Sequence, residues 1–90
     1  MRYVNLGASG LKVSRIALGM MTFGTPEWRP WVRPEAQAVP VVRSALDAGI
    51  NVFDTADMYS AGLSEEITGR LLRQFAPRDE IVVATKLFFP

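Results

Sequence analysis

The sequence predicts a parallel α/β fold, and three features of the chain support that class. Short apolar runs rich in β-branched residues alternate with two stretches of helical periodicity. Each run is bounded by glycine, proline or polar residues, which is typical of strands in a parallel sheet. A hairpin-like segment precedes the alternation. The predicted order is therefore hairpin, β, α, β, α, β, with right-handed crossovers between the parallel strands.

The first elements are a small hairpin over residues 2–13 and a strand over residues 15–19. Residues 7–10, Gly-Ala-Ser-Gly, are a turn signal between two short runs. The apolar run at 15–19 predicts a strand that is buried on both faces. Residues 20–34 contain three prolines and two tryptophans. They predict a loop longer than an ordinary βα connection.

Helical periodicity extends from about residue 36 to Ala48, and Gly49 follows as the residue that ends the helix. Proline is tolerated only in the first turn, because the N–H groups there have no partner within the helix. Pro40 therefore predicts a helix that begins between residues 37 and 40. Residues 50–54, Ile-Asn-Val-Phe-Asp, predict the second strand.

A connection over residues 55–63 leads to the second predicted helix. Ser64 is the expected N-cap, and the two glutamates that follow it suit the positive end of the helix dipole. The apolar stripe of this helix comprises Ile67, Leu71, Leu72 and Phe75. Pro77 ends the helix, and the β-branched run at 81–85 predicts a third buried strand.

The composition restricts the partners and the location of the protein. The chain has 90 residues, 49% hydrophobic and 21% charged, with a net charge of +1. This balance gives no reason to expect nucleic acid or an acidic membrane surface as a partner. Without cysteine there is no disulfide or thiolate metal site, and we expect no metal. No secretory signal or run of roughly 20 apolar residues is visible, so we expect a cytoplasmic protein.

Polar side chains follow each of the predicted parallel strands. Thr22 comes after the first, Asp54 ends the second, Lys86 follows the third, and Tyr59 lies in the loop after the second. Because ligands bind at the carboxyl ends of parallel strands, we expect these residues to converge on one face. A nearby ammonium lowers the pKa of a phenol, and a carboxylate holds the ammonium in place. Together they make a proton donor suited to the reduction of a carbonyl by hydride.

Residues 53–66, Phe-Asp-Thr-Ala-Asp-Met-Tyr-Ser-Ala-Gly-Leu-Ser-Glu-Glu, followed by Thr-Lys at 85–86, resemble the aldo-keto reductases. Residues 45–51 and 18–24 are similar to the same family, so the resemblance covers essentially the whole chain. It implies a (β/α)₈ TIM barrel whose bottom is closed by an N-terminal hairpin. Such a barrel needs about 250 residues. We therefore expect residues 1–90 to be the N-terminal part of one barrel, a fragment without the remaining strands.

The resemblance also implies an oxidoreductase that reduces aldehydes and ketones to alcohols with a nicotinamide cofactor, NADPH. Tyr59 matches the general acid of the family, Lys86 the residue that tunes it, and Asp54 the partner of the lysine. The residues that match the cofactor-binding stretch are Gly19, Met21, Thr22 and Asp54. The family's histidine follows the fourth strand, which this chain does not include. We expect residues 1–90 alone to be inactive.

Alternatives stay open for several of these residues and for the function. Trp28, Trp31 and Met58 either line a substrate pocket or pack their loops onto the rim of the barrel. Asp54 by itself is also compatible with a structural role in the following turn. One alternative function is a non-catalytic, cofactor-binding regulatory subunit of the channel β-subunit type. Another is a truncated half-barrel that associates with itself through its open sheet edge.

Overall fold

The computed structural model describes residues 1–87, which form a β-hairpin, a parallel sheet and two helices. The strands are β1 Tyr3–Asn5, β2 Lys12–Ser14, β3 Ala17–Gly19, β4 Val52–Asp54 and β5 Val82–Ala84. The helices are α1 Glu35–Asp47 and α2 Leu63–Phe75, with short 3₁₀ turns at Tyr59–Gly62 and Arg78–Glu80. The predicted order of elements is confirmed.

The parallel sheet has the order β3-β4-β5, so β4 is central. Successive side chains of a strand point to opposite faces, and the middle residue of each strand faces the helices. These residues are Phe53, which belongs to the main apolar core, and Leu18 and Val83, which pack against it. The last residue of β4, Asp54, lies opposite Gly19 on one side and Ala84 on the other. The sheet thereby places Asp54 at the centre of its carboxyl edge.

The two helices cover one face of this sheet. Val42 of α1 is fully buried, and the predicted stripe of α2 is confirmed, with Ile67, Leu71 and Leu72 at most 2% exposed. An ion pair links the helices at the surface, with 2.7 Å between Arg70 Nη2 and Glu35 Oε1. Hydrogen bonds from Arg70 lower the pKa of the Glu35 carboxyl. Among residues 1–87, neither helix is long and apolar enough to cross a membrane.

The strands are less buried than the sequence predicted. Phe53 is fully buried, but Ala17, Gly19 and Ala84 are exposed. The prediction of strands buried on both faces is wrong for β3 and β5. Among residues 1–87, the main apolar core lies on the face that carries the middle residue of each strand.

Helix α1 begins earlier than predicted, at Glu35, with Pro34 in an extended conformation before it. Pro40 therefore lies inside the helix rather than in its first turn. Its fixed φ suits a helix, and its missing N–H leaves the carbonyl of Ala36 without a helical partner. Ala36 is exposed, so water can bond to that carbonyl. The free-energy cost of a proline inside a helix is therefore reduced at Pro40.

The hairpin is attached at the amino end of the parallel sheet. The Ser14 backbone N–H donates to Asn51 Oδ1 at 2.7 Å, and the Asn51 N–H donates to Ser14 Oγ at 3.1 Å. Tyr3 donates its hydroxyl hydrogen to the Gly49 carbonyl at 2.6 Å. Gly49 has φ 91° just after α1, as its predicted helix-ending role requires. The hairpin thus lies at the opposite end of the sheet from Asp54.

Candidate active site

Asp54 and Lys86 meet at the carboxyl ends of β4 and β5. Lys86 Nζ lies 3.0 Å from Asp54 Oδ1, 3.1 Å from Oδ2 and 2.7 Å from the Thr55 carbonyl oxygen. These oxygens provide three acceptors for an ammonium group. Hydrogen bonding to Asp54, followed by the charge of Asp54 and contributions from Tyr59, raises the pKa of Lys86. Lys86 is therefore an ammonium ion at neutral pH.

Tyr59 joins this pair through the loop that follows β4. The Lys86 Nζ atom lies 5.3 Å from the centroid of the Tyr59 ring, and Tyr59 is half-buried. Two backbone bonds hold this loop to the end of β5 and the residues after it: the Thr55 N–H donates to the Ala84 carbonyl, and the Asp57 N–H donates to the Lys86 carbonyl. The structure thus brings together Asp54, Tyr59 and Lys86, three of the four residues that the sequence predicted to converge. A positive charge beside a phenol favours the phenolate that remains after proton transfer.

The loop after β3 places tryptophan beside Tyr59. The Trp28 ring centroid is 6.0 Å from that of Tyr59, with 49° between the planes, and 6.1 Å from that of Trp31. Trp31 and Met58 are 45% and 38% exposed. Three aromatic rings therefore stand in contact at the end of the sheet that carries Asp54. This placement is compatible both with a substrate pocket and with packing at the rim.

The residues predicted to bind the cofactor lie at the carboxyl end of β3. Gly19 is in register with Asp54, and a Cβ at Gly19 would have no heavy atom within 4 Å. Met21 and Thr22 are exposed just beyond. The open space beside Asp54 and the exposed side chains fit the reactive ring and ribose of a nicotinamide cofactor. Within residues 1–87, no hydrogen bond joins the Thr22 side chain to Asp54, Tyr59 or Lys86.

A buried hydroxyl network under this end of the sheet was missed in the sequence. Ser64, predicted as an N-cap, is instead the second residue of α2 and is fully buried; Gly62, at φ 99°, takes the cap position. Ser64 Oγ donates to the Met20 carbonyl at 2.8 Å and lies 3.0 Å from Thr55 Oγ1. Because serine has one hydroxyl hydrogen, Thr55 is the donor to Ser64.

The helical spacing of Ser64 contains a signal that could have revealed this network. Ser64 and Thr68 are four residues apart and fall on the same helix face as the stripe that includes Ile67 and Leu71. Thr68 is also buried, and its hydroxyl donates to the Ser64 carbonyl at 2.7 Å. Hydroxyl residues on the apolar stripe of a helix indicate buried hydrogen bonds rather than a cap.

Two further features delimit the site. Among the residues that the structure describes, no three His, Cys, Asp or Glu side chains group as metal ligands would. A groove of about 540 Å³ runs along the free edge of β5, lined among others by Leu72, Ile81 and Val83. Asp54, Tyr59 and Lys86 do not line it. The candidate site is therefore defined by its side-chain chemistry and not by this groove.

Comparison with known proteins gives matches to one family. The model of the aldo/keto reductase family matches residues 15–90. Versiconal hemiacetal acetate reductase of Aspergillus parasiticus is 49% identical over 90 residues, which are 99% of this chain and 26% of that protein. The aldo-keto reductase YhdN of Bacillus subtilis is 37% identical, with coverage of 96% and 25%. The chain spans about a quarter of the length of these curated relatives.

Solved structures show the same likeness. A holo-form aldo-keto reductase from Bacillus halodurans superposes with a TM-score of 0.80 at 37% identity, over 97% of this chain and 26% of that one. An aldo-keto reductase from Klebsiella pneumoniae in complex with NADPH gives a TM-score of 0.64 at 33% identity, over 87% of this chain and 25% of that one. The hairpin and the β-α-β-α-β unit therefore correspond to the first part of such structures.

Proposed function

This chain belongs to the aldo/keto reductase family, and from that membership we propose that it forms part of an NADPH-dependent carbonyl reductase. Its fold matches the N-terminal part of the family's (β/α)₈ barrel. We propose that residues 1–90 are the first part of a single barrel, completed by later strands in the full-length protein. The substrates would be small aldehydes or ketones and the products the corresponding alcohols.

One observation carries the proposal. The Lys86 ammonium is held by both carboxylate oxygens of Asp54 and lies 5.3 Å from the Tyr59 ring. An ammonium beside a phenol supports an enzyme that transfers a proton, and the names of the matched relatives favour the enzyme over the channel-subunit alternative. The Aspergillus parasiticus relative is itself named a reductase.

The proposed division of labour follows from the positions of these side chains. The cofactor, when bound, supplies the hydride that reduces the carbonyl carbon. Tyr59 donates its hydroxyl proton to the carbonyl oxygen, which completes the alcohol. The Lys86 ammonium stabilises the phenolate that Tyr59 becomes, and Asp54 keeps Lys86 charged and in place.

We propose that this chain holds the reactive end of the cofactor through Gly19, Met21, Thr22 and Asp54. The open space beside Gly19, which is in register with Asp54, supports this assignment. The choice of NADPH rests on the related Klebsiella pneumoniae structure, which contains that cofactor. Trp28, Trp31 and Met58 would line the substrate side, because Trp28 packs against the proposed proton donor.

The substitution Tyr59→Phe in the full-length protein tests the proposal. We expect kcat for carbonyl reduction to fall by about 100-fold or more, because the general acid is lost, while the Kd for NADPH changes little. Tyr3→Phe is the matched control: it removes the same hydroxyl at the hairpin, where Tyr3 bonds to Gly49. That control should retain kcat. Near-normal turnover by Tyr59→Phe would rule out the assigned role.

A further inference from the structure

The backbone just after Tyr59 is strained. Ser60 has φ 51° and ψ 37°, and Ala61 has φ 53° and ψ 38°, so both lie in the left-handed region without being glycine. This conformation is disfavoured for any residue with a Cβ atom, because that atom comes too close to the following carbonyl oxygen. Strain of this kind persists only where surrounding contacts fix it. Ala61 is exposed, whereas Ser60 is 4% exposed, so the contacts of Ser60 must supply that support.

Ser60 makes its contacts with the loop after β3. Its Oγ accepts a hydrogen bond from the Thr25 backbone N–H at 3.1 Å. Gly24 lies so close that a Cβ there would overlap the Cβ and Oγ atoms of Ser60. Gly24 is itself held in place, because its N–H donates to the Arg33 carbonyl at 2.9 Å. The Ser60 hydroxyl and the absence of a side chain at Gly24 thus hold the two loops together.

These loop contacts extend to the aromatic side chains. The Trp28 backbone N–H donates to the Thr25 carbonyl at 3.0 Å, so Thr25 begins the turn that carries Trp28. The Trp28 ring then packs against Tyr59, with 6.0 Å between ring centroids. A closed path therefore runs from Tyr59 to Ser60, from Ser60 to Thr25, and from Thr25 through Trp28 back to Tyr59. Movement of either loop would change the position of Tyr59 relative to Trp28.

We propose that Ser60 is a positioning residue that fixes the Tyr59 hydroxyl relative to the Trp28 face against which a substrate rests. Ser60 acts through Thr25 and Tyr59 and does not touch the substrate. The inference rests on the proposed function, because it takes Tyr59 as the proton donor. A small displacement of a proton donor lowers turnover strongly, while it leaves the binding of a cofactor held elsewhere unchanged.

Three variants of the full-length protein separate positioning from stability. Ser60→Ala removes the acceptor but keeps the backbone strain, whereas Ser60→Gly removes the acceptor and relieves the strain. Ala61→Gly is the matched control, because it relieves strain and keeps the acceptor. We expect both Ser60 variants to lower kcat by about 10-fold or more, with the Kd for NADPH unchanged. The Tm should fall for Ser60→Ala and stay near the parent value for Ser60→Gly.

Exchange of the Thr25 amide hydrogen gives a readout that does not depend on activity. It should be faster in both Ser60 variants and unchanged in Ala61→Gly, because only the former lose the acceptor of that N–H. If Tyr59→Phe abolishes turnover but Ser60→Gly keeps the parent kcat, the positioning role alone is overturned. Unchanged Thr25 exchange in Ser60→Gly overturns it as well. Full turnover by Tyr59→Phe would overturn the proposed function itself.

Discussion

Lys86 carries the main electrostatic feature of the site. Its three N–H donors have three oxygen acceptors, two from Asp54 and one from the Thr55 carbonyl. The hydrogen bonds to Asp54 raise the pKa of Lys86, so the ammonium is a poor proton donor at neutral pH. We propose that this ammonium stabilises negative charge on Tyr59, the proposed proton donor.

Asp54→Asn tests the coupling between these charges. Loss of the carboxylate removes the largest cause of the raised pKa of Lys86, so that pKa should fall. We expect the alkaline decline of kcat to begin at lower pH in Asp54→Asn than in the parent. Both side chains are about half exposed, so solvent screening keeps this shift small. The measurement is kcat as a function of pH between about 7 and 11.

The ion pair between the helices provides the control for this experiment. Glu35→Gln removes a carboxylate from a similarly exposed pair, in which Glu35 bonds to Arg70 rather than to Lys86. It should leave the pH profile of kcat unchanged. An identical profile for Asp54→Asn and the parent would contradict the coupling.

For folding, the raised pKa of Lys86 stabilises the native state below roughly pH 10.4, and that contribution is lost as the pH rises through the folded-state pKa.

Among the elements, the hairpin has a separate role from the site. Asn51 holds β2 through two bonds from its side chain, one accepted from the Ser14 N–H and one donated to the Lys12 carbonyl. These bonds lie at the amino end of the sheet, whereas Asp54 and Lys86 lie at the carboxyl end. We therefore expect the hairpin to support the fold and not to take part in the proposed chemistry.

Asn51→Ala should detach the hairpin partly without altering the active site. We expect the free energy of unfolding to fall by about 1–3 kcal/mol, because two hydrogen bonds are lost. Turnover per folded molecule should be unchanged. Urea unfolding measures the first quantity, and Asn5→Ala, at an exposed position of β1, is the control. Equal losses in the two variants would contradict the role assigned to Asn51.

Helix α2 links the site to the core. Its apolar stripe packs on the sheet, while the Ser64 hydroxyl bonds to the Met20 carbonyl and accepts from Thr55. This network joins the ends of β3 and β4 to the first turn of α2. It fixes the backbone from which the stretch at Met21 and Thr22 departs, and so the element that packs the core also positions the proposed cofactor residues.

For the molecule as a whole, the arrangement of the sheet agrees with continuation into a barrel. Within the described range β5 has a neighbour on one side only, and the groove along its other side is lined by apolar residues such as Leu72 and Val83. The curated relatives are about four times as long as this chain. We propose that the following units of the same barrel cover this groove.

The intact mass of the purified protein under denaturing conditions tests that proposal. We expect a mass several-fold above the 10.0 kDa of the 90 residues, since the chain covers 26% of the Aspergillus parasiticus relative. Size-exclusion chromatography should then show no association through the β5 edge. A mass near 10.0 kDa would contradict the proposal. The exposed edge and apolar groove would then drive self-association of a protein without turnover.

The sequence by itself determined the order of elements, the parallel sheet and the three residues Asp54, Tyr59 and Lys86. Hydrophobic periodicity is a local property of a sequence. Apolar runs and the polar residues that follow them could therefore be identified without the structure. The resemblance over residues 53–66 supplied the barrel family, which the family match confirmed. The roles of the three residues stay predictions that the proposed substitutions test.

Only the tertiary structure showed which groups the buried hydroxyls bond to and which contacts hold the strained backbone at Ser60. Ser64 is a residue type typical of an N-cap, but its partners are Met20, 44 positions away in the sequence, and Thr55, 9 positions away. Ser60 adopts a left-handed conformation that its residue type disfavours, because Thr25 and Gly24 hold it. Contacts between residues 35 to 44 positions apart, and the face that the helices leave uncovered, depend on how elements pack. Local conformational propensity does not determine that packing.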